Sequence, residues 1–320
     1  MEISKTEWQS HRYALVFPGQ GAQFVGMGSA LIEASQVAAD TVREADSVLG
    51  FSLSGLMADG PAEVLEDTYY AQPAILTISI AALRAVESAL GEKLRPAMVA
   101  GHSLGEFSAL VAAGVLPYPD ALRLVRERGR IMKAAGQSNP GAMAAVLGLD
   151  DDVLAGVCAE ASQGGVVVVA NRNCPGQTVI SGDVAVLERA SALAKERGAK
   201  RVARLGVSIA SHSPLMEEAA AAFSGIVAQI PLTDPDVPVV ANGSARPMVG
   251  REEITTEISA QMSAPVNWTG SIETMLDAGI RTFIELGPGA VIAGLIKRID
   301  RDATTLSIAD LGLGLPSTAK

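Results

Sequence analysis

Residues 97–114, AMVAGHSLGEFSALVAAG, constrain the fold more than any other stretch of the chain. A short apolar run leads into a Gly-x-Ser-x-Gly frame from Gly101 to Gly105. Small residues then follow at helical spacing: Ser108, Ala109, Ala112 and Ala113. That order reads as a buried strand, a sharp turn centred on Ser103 and a helix, the way an α/β enzyme presents a nucleophilic serine. Gly101 and Gly105 lack the Cβ atoms that would collide where strand and helix meet. Glu106 falls in the first helical turn, where the macrodipole favours negative charge, and Leu104 offers its backbone N–H from the helix start. One such donor to a developing oxyanion is typically worth about 3 to 4 kcal/mol.

At 320 residues the chain is long enough for one large domain and a smaller one. Its 48% hydrophobic content comes largely from alanine and valine in short runs broken by charge, so no segment is expected to span a membrane. The polar stretch from Met1 to Arg12 lacks the apolar centre of a signal peptide and reads as a leader to the first strand, so a cytoplasmic protein is expected. Cys158 and Cys174 have no metal-ligand spacing and are expected to be free thiols; no metal site is expected. A formal charge of −10 argues against nucleic-acid binding. Between Leu187 and Leu205, however, Arg189, Lys195, Arg197, Lys200, Arg201 and Arg204 outnumber Glu188 and Glu196. That excess is either an ordinary solvated face or a surface for an acidic partner.

Strands alternate with helices as in a largely parallel, helix-covered sheet. The strands 13–17, 98–100, 237–241 and 282–286 and the helix 291–299 belong to a large domain, with loops at Gly19–Gln23 and Gly287–Gly289. Between Gly141 and Leu205 the order becomes strand, helix, strand, strand, helix, strand. The strands are 142–147, 166–170, 178–181 and 201–205, the helices 151–161 and 184–197, and residues 173–176 make the central turn. That order is ferredoxin-like. The expected division is a large domain of 1–137 and 206–320, with 138–205 inserted as the small subdomain.

Ser103 needs a base, and the chain has three histidines. His11 lies in the leader. His102 adjoins Ser103, and consecutive side chains point apart. His212 remains, placed where the chain leaves the small subdomain, so it is expected to overhang the cleft between the two domains. No Asp or Glu announces itself as a third member, since Glu217 and Glu218 begin a helix. A backbone carbonyl orienting the imidazole would leave a Ser–His dyad.

On the helix around residues 121–132, Arg128 falls on the apolar stripe of Ala121, Leu124, Val125, Ile131 and Met132, whereas Arg123, Arg126 and Arg130 face away. A guanidinium on that face requires an anion. An internal Asp or Glu would satisfy it, and so would a substrate carboxylate held by arginine's planar fork.

With these residues in view, the chain resembles the malonyl-CoA:acyl carrier protein transacylases and the related acyltransferase domains of polyketide synthases. The landmarks run in order from Tyr13 to Ile299: residues 17–23 (FPGQGAQ), 66–73 (EDTYYAQP), 101–105 (GHSLG), Arg128-Gly129, Ser211-His212, Gln261 ahead of 265–268 (PVNW), and 287–289 (GPG). The resemblance implies a large α/β-hydrolase-like domain with the ferredoxin-like subdomain inserted. It also implies that Ser103 carries the acyl group, that His212 is its base and that Arg128 grips the malonyl carboxylate. The N–H groups of Gln20 and Leu104 would form the oxyanion hole, and the Gln261 carbonyl would orient His212. Gln20 and Gln261 enter through resemblance alone.

The activity so implied is ping-pong transfer of a malonyl group from malonyl-CoA to the phosphopantetheine thiol of an acyl carrier protein. No cofactor is expected to be bound, since the CoA thioester is substrate and the phosphopantetheine belongs to the carrier. The chain is expected to act as a monomer without membrane or nucleic acid. Residues 209–212 (IASH) match neither usual extender pattern of the multidomain synthases, but stand-alone fatty-acid enzymes carry a serine where Ser211 stands, which favours malonyl. The alternatives are a polyketide acyltransferase using another extender such as methylmalonyl, a serine thioesterase or hydrolase, and a noncatalytic carrier-binding scaffold.

Overall fold

The computed structural model describes residues 12–319; His11 and the leader before Arg12 lie outside them. The strands in chain order are β1 (Tyr13–Phe17), β2 (Met98–Gly101), β3 (Gly141–Leu147), β4 (Val167–Cys174), β5 (Gln177–Asp183), β6 (Arg201–Arg204), β7 (Val239–Val240), β8 (Pro247–Met248), β9 (Val266–Asn267), β10 (Thr282–Glu285) and β11 (Thr304–Leu306). They form two sheets. The first has the order β11-β10-β1-β2-β7-β8, parallel throughout except for the antiparallel β7–β8 edge. Every residue of β1 is buried, as in a strand covered by helices on both faces. The mixed α/β class with a mostly parallel main sheet is therefore as expected.

The second sheet has the order β6-β3-β5-β4-β9. Its first four strands are antiparallel neighbours in the ferredoxin-like arrangement, with helices Asp151–Ala161 and Val184–Glu196 packed on them. Two details depart from the sequence reading. β4 runs on to Cys174, so the hairpin turn is made by Pro175 and Gly176, the latter at φ 70°. A fifth strand, β9, joins β4 in parallel from beyond residue 205. With only two residues, β9 shows no side-chain alternation to detect, and the same holds for β8.

The helix Thr68–Leu90 is apolar enough over its 23 residues to pass for a membrane span by length and composition, which corrects the expectation of short apolar runs only. Its side chains are spent on the core instead: residues from Ala71 to Leu83 are buried in an unbroken row against the main sheet and its other helices. At the end of β10, Glu285 turns into the protein and accepts the Ile292 and Ala293 N–H groups at 3.1 and 2.7 Å, capping the helix Val291–Ile299. Burial pushes its carboxyl up to about 7, against the pull of those donors.

Candidate active site

β2 lies between β1 and β7 near the middle of the main sheet, and its carboxyl end delivers Ser103. The turn is as tight as the motif suggests. A Cβ on Gly101 would lie 1.9 Å from the Gly105 backbone, and one on Gly105 would lie 2.2 Å from the Phe17 carbonyl oxygen. Ser103 itself takes φ 50°, a left-handed conformation that costs a residue with a side chain of order 1 kcal/mol or more. Asn242, just beyond β7, brackets it. Its side-chain oxygen accepts the Ser103 N–H at 2.7 Å and its amide donates to the Gly101 carbonyl at 2.8 Å.

His212 follows the return from β6 and also has a positive φ, 59°. Its N–H donates to the Met262 carbonyl at 2.8 Å. Nδ1 lies 3.0 Å from the Gln261 carbonyl and 2.9 Å from the Ala264 carbonyl. Both partners only accept, so the proton of a neutral ring sits on Nδ1 and Nε2 is left as acceptor. Nε2 faces Ser103 Oγ at 2.9 Å. Burial, then the charge of Arg128, lower the imidazole to about 3, which keeps it neutral at ordinary pH. Among the described residues no carboxylate touches the ring; two carbonyls orient it.

Arg128, in the helix Tyr118–Ser138, is 1% exposed. Its partners are neutral: Nη1 donates to Gln72 Oε1 at 2.8 Å, and Nη2 donates to Gln261 Oε1 at 2.8 Å and to Ser103 Oγ at 3.2 Å. Nε has no partner among the described residues. The group lies over the Phe107 ring at 5.6 Å. Burial lowers its pKa to about 10, which still leaves it charged. The internal ion pair that would have satisfied this cation is absent among the described residues. The closest compensation comes through Gln261, whose amide nitrogen donates to Ser103 O at 2.9 Å and to Glu106.

Gln20 sits at the mouth of the site. Its side chain accepts from Thr68, and Thr68 in turn accepts from Gln72, which links the loop after β1 to Arg128. Leu104 is the residue just ahead of the helix Gly105–Ala112, its side chain buried. Among the described residues, neither its N–H nor that of Gln20 is taken by an acceptor. His102 turns away from Ser103, as expected: its Nε2 lies 2.8 Å from Asn173 Oδ1 and its ring leans on Trp268. Ser103, His212, Arg128 and Gln20 line a cavity of about 470 Å³ whose other wall comes from Met143, Asn171 and Leu205, at the second sheet. The sequence reading gave Glu106 only a favourable place in the first turn of its helix, and assigned no role to Gln72 or Asn242. Gln72 interrupts an apolar helix face and Asn242 ends a strand, and each is a polar break in an apolar pattern.

Both cysteines are free and buried, and burial pushes the Cys158 thiol up to about 11. In the basic segment, Arg197 pairs with Glu160 at 2.6 Å and Arg204 with Glu188 at 3.6 Å, while Arg189 caps carbonyls at the end of the helix Asp151–Ala161. Lys200 and Arg201 are exposed and have no ion-pair partner among the described residues. They stand at β6, the edge strand that runs into the cavity wall.

A largely parallel sheet that presents a serine hydroxyl to a neutral imidazole at the carboxyl end of a central strand defines an α/β enzyme. The acyl transferase domain family matches residues 14–311. The malonyl CoA-acyl carrier protein transacylase of Bacillus subtilis is 45% identical over 93% of this chain and 94% of its own length. The crystal structure of an acyl carrier protein S-malonyltransferase from Vibrio cholerae superposes with a TM-score of 0.89 at 43% identity, covering 93% of this chain and 96% of that one. A malonyl-transacylase solved in complex with its type II polyketide synthase acyl-carrier protein gives 0.91 at 40% identity, over 95% and 99% of the two chains. The chain belongs to the acyl transferase domain family and is an acyltransferase.

Proposed function

We propose that this acyltransferase moves a malonyl group from malonyl-CoA to the phosphopantetheine thiol of an acyl carrier protein, with Ser103 as the carrier of the acyl group. His212 Nε2 takes the Ser103 proton as Oγ attacks the thioester carbonyl. The N–H groups of Gln20 and Leu104 hold the resulting oxyanion. Its collapse breaks the C–S bond, and the CoA thiolate leaves with the proton from His212. In the second half-reaction His212 takes the proton of the carrier thiol, the thiolate attacks the ester, and Ser103 recovers its proton as it leaves. Nδ1, fixed by the carbonyls of Gln261 and Ala264, stabilises the transient imidazolium.

The observation that carries the malonyl assignment is Arg128: a buried guanidinium, 3.2 Å from the nucleophile, hydrogen-bonded only to neutral groups and with Nε unpaired. A carboxylate on the acyl group supplies the missing counter-charge, and an esterase acting on uncharged acyl groups has no use for such a cation. In this reading residues 138–205 form the smaller unit and the rest the catalytic one, with the substrate between them. The protein works as a cytoplasmic monomer, and acidic carrier protein approaches along β6.

The test is to mix the protein with malonyl-, methylmalonyl- and acetyl-CoA and weigh it intact. A malonyl adduct on Ser103, discharged by carrier protein far faster than by water, is the expected result. An unmodified Ser103 overturns the reading, and rapid discharge without carrier makes the protein a hydrolase.

A further inference from the structure

Glu106 is fully buried, does not line the cavity, and takes no part in the steps above. One of its oxygens accepts the Asn242 N–H at 3.1 Å and the other accepts from the side-chain amide of Gln261. The Gln261 amide has one donating and one accepting end. Ser103 O and Glu106, both acceptors, stand at one end, and Arg128, a donor only, at the other. The amide has a single orientation that satisfies all three.

We propose that Glu106 is a positioning residue that sets acyl-group selectivity: by claiming the Gln261 amide nitrogen, it turns the Gln261 amide oxygen onto Arg128 and so aims the guanidinium at the acyl carboxylate. The inference rests on the reading of Arg128 given under Proposed function. Two donors converge on Glu106, an arrangement that the acceptor-only carboxylate satisfies; burial and the neighbouring Glu257 push its pKa up to about 8, so the substrates are compared above that pH, where the carboxylate is the form present. A glutamine at 106 has only one accepting end. One of the two contacts then sets N–H against N–H. The Asn242 N–H is fixed backbone, so the Gln261 side chain is the partner that rotates, and it presents its NH₂ to the guanidinium.

A purely electrostatic role has the opposite sign. A carboxylate one amide away from Arg128 weakens the cation's pull, and its removal would then improve malonyl loading.

The experiment follows Ser103 acylation by intact mass in the wild type, Glu106→Gln and Arg128→Ala, with malonyl-CoA and acetyl-CoA. For Glu106→Gln the expected result is a fall in malonyl kcat/KM of about tenfold to a hundredfold, carried mainly by KM, with acetyl loading changed less than about threefold. An unchanged or increased malonyl preference overturns the proposal, as does an equal fall with both substrates. If Arg128→Ala loses the preference and Glu106→Gln keeps it, only this inference fails. If Arg128→Ala keeps it, the carboxylate clamp itself fails and this inference with it. Should Glu106→Gln not fold, Gln261→Leu serves in its place, read as the ratio of malonyl to acetyl loading alone: a fall in that ratio is expected, and a preserved ratio overturns the proposal.

Discussion

Ser103 and His212 both hold a left-handed backbone conformation, at φ 50° and 59°, and meet across 2.9 Å. Each is followed by chain that must turn at once: into the helix Gly105–Ala112 after Ser103, and into a short 3₁₀ turn and the helix Glu217–Val227 after His212. The two strained residues are held by donors and acceptors from other segments, Asn242 for the first and Met262 for the second.

The strain at Ser103 gives a stability prediction. Ser103→Ala keeps a Cβ in the left-handed region and Ser103→Gly does not. Both variants lose acylation, and the glycine variant is the more stable by about 1 kcal/mol in denaturant unfolding. Equal stabilities would mean that the turn stores no strain.

Asn242 is predicted to be required for a functional turn. Asn242→Ala takes this partner from the half-buried Ser103 N–H and from the buried Gly101 carbonyl, the latter at about 1–3 kcal/mol, and lowers kcat along with stability. Asn242→Asp still accepts from Ser103 but sets an oxygen against the Gly101 carbonyl, so it does not rescue. Thermal melts together with acylation rates check both variants.

Arg128→Ala removes the cation and is expected to reduce malonyl loading by about a hundredfold or more, leaving acetyl loading intact or improved. The ratio of the two rates is the measurement. Indifference to the carboxylate of the substrate would discredit the clamp.

The pH dependence follows from His212. Its folded pKa of about 3 lies below the ordinary 6.5, so acidification from neutral pH does not protonate the base in the folded enzyme. The rate of acylation by acetyl-CoA should hold down to about pH 5, rather than halving near 6.5. Arg128→Ala removes one cause of the depression and moves the acid limb upward. The unfolded chain takes up this proton near 6.5 and the folded one only near 3, so His212 makes folding stability fall with acidification across that window. Rate profiles and unfolding at graded pH report the two effects separately.

Reversing Lys200 and Arg201 to glutamate is expected to slow discharge to carrier protein about tenfold at low salt, with loading from CoA unchanged. The difference should shrink as salt is raised. An equal loss in both half-reactions would refute a role for the β6 edge in docking.

Much of the site was legible because its chemistry is written in local patterns. Gly101 and Gly105 flank Ser103 between an apolar run and small residues at helical spacing, the setting of a strand-to-helix turn, and of three histidines only His212 was left as a candidate to face it. The stripe on the helix Tyr118–Ser138 placed Arg128 inward. The helices Asp151–Ala161 and Val291–Ile299 fall on the residues where their periodicity put them. The two-residue strands β8 and β9 carry no period, and Thr68–Leu90 hid its helix in an apolar run that sequence alone does not separate from a strand or a span.

By itself, the sequence determined the strand-to-helix turn that presents Ser103, the inward face of Arg128 and the alternation that builds a parallel sheet, because each depends on neighbours within a few residues. Only the tertiary structure decided which groups satisfy them. Gln72, Asn242 and Gln261 lie 56, 139 and 133 residues from the partners they hold. The donors and acceptors that orient a buried amide, imidazole or guanidinium come from whatever segments the core packs together, and no local pattern encodes that meeting.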